Sequence, residues 1–222
     1  MKKTVRIALI HATRVAIAPI EEAAKKHWPE AEMFSILEEA LSADRATDRV
    51  PVDQLNDRIV TLARYAEQLD PAGILYTCSA FGDGIETAAS TSPLPVLKPN
   101  EAMFEEALEH GNNIAMLYTF PASVEGMEKE FYTEATNRNS NASIHSVFAQ
   151  GAREALSAGD IDTHNKIIAE TATTITGADA ILLAHFSMAP AANSVRASVS
   201  MPVLSSPESA IRKMKLQVGS VQ

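Results

Sequence analysis

Residues 73–82 read GILYTCSAFG, and residues 180–189 read AILLAHFSMA. Each is a short apolar run suited to a buried strand, and each then breaks into small and polar residues. The two stretches lie 107 positions apart. The same offset relates RIALIHATRV (6–15) to NIAMLYTFPA (113–122), and PVLKPNE (95–101) to PVLSSPE (202–208). Three separate segments sharing one offset mark an internal duplication. A fourth pair, near EMFSILE (32–38) and SIHSVFAQ (143–150), departs from it.

Strand-like runs at 6–12, 73–78, 94–98, 113–119, 180–185 and 201–205 alternate with helical patterns. In VDQLNDRIVTLARYAEQL (52–69), Leu55, Ile59, Leu62, Ala66 and Leu69 share one face at the 3.6-residue period. Strands alternating with helices imply βαβ units and a parallel sheet. Burial on both faces explains why the strand runs lack polar alternation. The expected fold class is α/β, with two similar lobes related by a pseudo-twofold axis. Each lobe is a mainly parallel four-stranded sheet flanked by helices. The lobes span 1–97 and 98–206, with a C-terminal helix (207–222) packing back on the first, and the active site is expected in the cleft between them.

The 222 residues suffice for a full core, and 46% apolar with 21% charged residues is an ordinary globular composition. A formal net charge of -9 disfavours a nucleic-acid partner. The basic start is followed by an apolar run interrupted by His11, Thr13 and Arg14, so it reads as a first strand rather than a signal peptide. With no apolar stretch of about 18 residues, no membrane span or membrane partner is expected, and the cytoplasm is the default location. One cysteine excludes an intrachain disulfide and the multi-cysteine zinc patterns. The six histidines show no HxxxH pairing, so no metal site is expected. GDGIET (82–87) lacks the third glycine of a dinucleotide turn, and its acidic residues would repel phosphate.

Two positions carry candidate chemistry. Cys78 ends a strand run and precedes a Gly-Asp-Gly helix start, a setting expected to pull a thiol below its ordinary pKa of about 8.5. The alternative is plain packing, since free cysteine is often buried. At the duplicated position stands His185, in an apolar run where histidine is commonly structural; its place opposite Cys78 in the repeat argues for an acid/base role. The first-strand ends, with His11 and Thr13 in one lobe and Thr119, Phe120 and Ser123 in the other, offer hydroxyls and backbone N–H groups for a carboxylate. N-capping competes for the same hydroxyls, as it does for Ser79 and Ser187.

The sequence TCSAFG after an apolar strand, in a duplicated βα lobe with a second site about a hundred residues on, resembles the aspartate/glutamate racemase superfamily. That group includes hydantoin racemases, maleate isomerases and arylmalonate decarboxylases. The resemblance covers nearly the whole chain in organisation, although its motifs are short. It implies a cofactor-independent enzyme acting beside a carboxylate, with a cysteine from each lobe on opposite faces of the carbon. Cys78 matches the first cysteine, and Ser79, with Ala80 after it, the small residues that help bind carboxylate. Thr119 and Phe120 fall in the second-lobe loop that cups the substrate; the decarboxylases carry a tyrosine near Phe120. The departure is at the second cysteine, where this chain has His185, followed by Phe186 as a bulkier apolar wall and then Ser187. The family also implies a homodimer or higher homo-oligomer.

The expected activity is therefore racemisation or another isomerisation of a small carboxylate-bearing acid, with Cys78 and His185 as an unequal pair. The same residues permit cis–trans isomerisation, protonation after decarboxylation, or simple binding of a small acid. Hydrolysis by a Cys–His pair is disfavoured, because no orienting carboxylate or amide is evident beside His185.

Overall fold

The computed structural model describes residues 4–220. The basic start at residues 1–3 and positions 221–222 of the expected last helix lie outside the described residues. The chain forms two compact units. One runs to Pro99 and resumes at Ala210; the other is Asn100–Ser209.

In the first unit the elements are β1 (Arg6–His11), α1 (Ile17–His27), β2 (Glu32–Leu37), α2 (Ala40–Ala46), α3 (Val52–Glu67), β3 (Gly73–Tyr76), α4 (Gly82–Thr91) and β4 (Val96–Leu97). All pairings are parallel, in the order β2-β1-β3-β4. Successive residues of a strand face opposite sides, so Ala8, Ile10, Ile74 and Tyr76 pack with Leu55, Ile59 and Ala63 of α3 and Ile85 and Ala88 of α4. Ile7, Leu9 and Leu75 are equally buried on the other face. Burial on both faces is why these strands read as continuous apolar runs. At Gly84, an added Cβ would lie 2.9 Å from the Asn56 backbone, so a side chain there would part α4 from α3.

The second unit contains α5 (Glu101–His110), β5 (Asn113–Tyr118), α6 (Val124–Asn137), β6 (Ser143–Phe148), α7 (Ala152–Ser157), α8 (Ile161–Ala172), β7 (Ala180–Leu183), α9 (Ala192–Ser198) and β8 (Val203–Ser205). Its sheet is again wholly parallel, in the corresponding order β6-β5-β7-β8. Its core holds Phe104 and Phe131 edge to face at 5.7 Å. The side strand that broke the repeat now has a cause: α6 has 14 residues where α1 has 11, which displaces β6. The expected α/β class with two four-stranded parallel sheets is borne out.

The last helix, α10 (Ser206–Ser220), belongs to the first unit from Ala210 onward. There Met214 packs so closely on Gly73 that an added Cβ would meet its sulfur at 2.5 Å. Lys215 pairs with Glu30 at 2.7 Å and sits over the buried Trp28 ring. No helix among the described residues is long and apolar enough to cross a membrane.

Candidate active site

Four strands end at the same kind of corner. After β1, β3, β5 and β7 the chain enters a short 3-10 turn, and the residues that open these turns are Thr13, Cys78, Phe120 and His185. Cys78 and His185 do not end their strands, as their runs suggest, but stand beyond them. The amides of Thr77 and Ala184 make the last bonds to the neighbouring strands, on Ile10 and Leu117, and the chain then turns away. Both residues keep extended backbones, with φ, ψ of -128°, 123° at Cys78 and -118°, 147° at His185. They lie beyond the carboxyl ends of parallel strands, where open α/β sheets hold their ligands.

None of the residues opening these turns caps the turn with its side chain, and Ser123, which opens α6, does not cap that helix. The Thr13 hydroxyl is therefore not committed to capping. Ser79 and Ser187, both half-buried, sit within their turns with no hydrogen-bond partner among the described residues. Ala80 is exposed between Ser79 and the buried Phe81.

At the first-unit corner, Cys78 receives bonds from the Ala80 backbone and the Ser42 hydroxyl of α2, both of which favour thiolate. Burial opposes them and wins, so the thiol is pushed up rather than down. This corrects the sequence expectation of a thiolate near neutral pH.

Beneath Cys78 lies a polar network in an otherwise apolar core. His11 is fully buried, with Nδ1 2.8 Å from Thr77 Oγ1 and Nε2 3.1 Å from Ser35 Oγ. Thr77 donates to the Ile10 carbonyl, so it accepts from His11 Nδ1–H, and Nε2 accepts from Ser35. Desolvation lowers the His11 pKa to about 4. With both ring nitrogens bonded, His11 has none left for a ligand and bears on the corner through Thr77.

At the second-unit corner, His185 Nε2 lies 2.8 Å from Ser123 Oγ, and Nδ1 lies 3.4 Å from Thr119 Oγ1. Ser123 donates to the Phe120 carbonyl at 2.8 Å and so accepts from Nε2–H. The hydrogen-bond directions make Nδ1, with its one long contact, the basic nitrogen. Burial and the nearby Arg153 guanidinium lower the His185 pKa to about 4. Arg153 itself stacks on the Phe120 ring, 4.3 Å from its centroid. Phe186, the next residue in the chain, is buried.

The structure thus gathers Thr119, Phe120, Ser123, His185 and Phe186 at one corner, and His11, Cys78, Ser79 and Ala80 at the other. It also brings in Ser42 and Arg153, which sequence reading missed. Both lie on short helices following a side strand, and no local pattern links them to residues some thirty positions away. Among the described residues no three His, Cys, Asp or Glu side chains cluster to hold a metal.

No protein-family model and no curated protein sequence matches the chain. Solved structures do. Glutamate racemase of Bacillus anthracis matches with a TM-score of 0.74 at 10% identity, covering 100% of this chain and 84% of that one. Allantoin racemase of Klebsiella pneumoniae matches at 0.74 and 17% identity, covering 98% and 89%. This is the racemase fold. An unliganded arylmalonate decarboxylase shares it, with a TM-score of 0.67 at 13% identity over 99% and 95% of the two chains. The racemase fold is thus present with a histidine, not a second thiol, at the corner equivalent to Cys78.

Proposed function

We propose that the protein is a cofactor-independent isomerase, a racemase or epimerase, acting at the carbon next to a carboxylate of a small acid or amino acid. The observation that carries this reading is the equivalence of Cys78 and His185. Two proton-carrying groups of different chemistry occupy the same corner, in matching backbone conformations, of two sheets with one topology.

Their resting protonation gives the pair a direction. Burial keeps Cys78 as the thiol, and burial with Arg153 keeps His185 neutral. Neutral His185 takes the proton through Nδ1, and the Cys78 thiol supplies one to the other face of the planar carbanion. The reverse turnover begins from thiolate and imidazolium, so the first direction needs no prior proton exchange. As charge develops on the substrate carboxylate, the unpartnered Ser79 and Ser187 hydroxyls and the turn N–H groups are suited to hold it. Both residues must meet one substrate carbon, which the variants below test.

A second reading has one observation in its favour. A thiol held protonated is suited to quench a carbanion left by decarboxylation, and the fold is shared with a decarboxylase.

Proton NMR in D2O with amino acids, hydantoins and small dicarboxylic acids tests both. Racemisation predicts loss of the α-proton signal with wild type, and none with Cys78→Ala or His185→Ala. Exchange that survives without His185 would sink the paired mechanism. Loss of CO2 from a malonate-type acid, without exchange of any α-proton, would select the decarboxylase.

A further inference from the structure

Each unit carries an arginine just beyond its sheet, and the two are treated differently. In the first, Arg14 is clasped by both carboxylate oxygens of Glu39, at 2.9 and 2.6 Å, so its charge is already met. In the second, Arg153 has no carboxylate partner among the described residues, in a chain with 28 acidic residues and a net charge of -9. Its guanidinium lies on the Phe120 ring, which is 40% exposed, and Arg153 is itself exposed. A guanidinium held on an aromatic face keeps its N–H edge available for a carboxylate.

A continuous set of contacts joins this pair to the imidazole. The Phe120 carbonyl accepts from Ser123, and Ser123 lies 2.8 Å from His185 Nε2. We propose that Arg153, held on the Phe120 ring, forms an anion-binding subsite beside His185, whose occupant is a carboxylate. That the carboxylate is the substrate's own rests on the carbon-acid reading above; the binding itself does not.

The charges within the unit single out Arg153. β5 and the turn after it present Thr119 and Ser123 to the ring, and His185's own turn adds Phe186, Ser187 and Met188, all uncharged. Among the helices that follow, α8 carries His164, fully buried and bonded to Asn165, while its Asp162, Lys166 and Glu170 line an open groove with Ser194 and Ser198 of α9. Arg196 of α9 is tied to Glu208 and the Val203 carbonyl. Beyond burial, Arg153 is the one charged group among the described residues that acts on the imidazole, and it acts against protonation. A carboxylate on Arg153 offsets that field, so filling the subsite raises the proton affinity of His185. The occupied site then holds a stronger base than the empty one.

The test follows the His185 ring proton by NMR over pH, with malonate as the probe, read before any exchange or CO2 loss at its carbon, and His185→Gln to assign the signal. In wild type, malonate should raise the His185 midpoint saturably, by about one unit or more. Arg153→Gln should raise the midpoint without ligand and abolish the malonate response, whereas Arg153→Lys should retain a weaker one. Phe120→Leu should weaken malonate binding about threefold to fivefold. A midpoint indifferent to malonate, or an equal response in Arg153→Gln, overturns the subsite. Malonate binding without turnover of any carbon acid would instead keep the subsite and remove the carbon-acid reading.

Discussion

The hydroxyl of Ser123 lies 2.8 Å from Nε2 of His185, and because it donates to the Phe120 carbonyl it fixes the tautomer of that ring. Ser123→Ala removes this anchor and lets either nitrogen carry the proton. Solvent exchange at the substrate carbon should slow about tenfold to a hundredfold, while His185→Ala should cost the full general-base contribution, about 10²–10⁴-fold. Initial rates in D2O measure both. A Ser123→Ala enzyme as fast as wild type would mean that the ring is held by packing alone.

Cys78 should be a slow nucleophile at neutral pH. Its thiol is raised by burial, so iodoacetamide labelling should still be accelerating at pH values where a free cysteine, with pKa about 8.5, has levelled off. Ser42→Ala deletes a bond that favours thiolate and should slow labelling further at fixed pH. Rapid labelling at pH 7 would contradict the burial argument.

Two histidines make stability depend on pH. His11 and His185 bind protons near pH 4 in the folded chain but near 6.5 when unfolded. Between those values the unfolded chain binds more protons, so stability is retained above about 6.5 and falls as pH drops towards 4. For the fully buried His11 the loss is on the order of 3 kcal/mol. Urea unfolding at pH 7 and pH 4.5 should show the drop, and His11→Asn should flatten it.

Gly84→Ala should destabilise the first unit by about 1–3 kcal/mol despite the better helix propensity of alanine. The added methyl meets backbone at Asn56, which cannot rotate aside. The repeat-equivalent residue, Ala191, already carries a Cβ, so the close approach is particular to the unit that holds the thiol. Urea midpoints report the change; an unchanged midpoint would show that α3 yields freely.

The sheets were legible because a strand buried on both faces must be apolar throughout, as Ile74, Leu75 and Tyr76 are, and because the duplication repeats that constraint. The corner residues were legible from the same offset. What the sequence hid was electrostatic. That Cys78 is held as a thiol depends on how much protein surrounds the sulfur, and that Arg153 acts on His185 depends on contacts across some thirty residues of chain. His11 was misjudged for a related reason. A histidine at a strand end looks available to a ligand until Ser35 and Thr77 are seen to occupy both its nitrogens.

The membership of α10 sets an order of assembly. The second unit is one unbroken stretch, Asn100–Ser209, and is complete as soon as that stretch has left the ribosome. The first is begun earlier but finished later, because Met214 and Lys215 reach Gly73 and Glu30 only after the whole of the second unit has been made. The unit that carries the thiol therefore closes after the other, although β1 precedes every strand of the second unit. A nascent chain arrested before Ala210 would leave that sheet with an open apolar face, exposed to chaperones or to other chains.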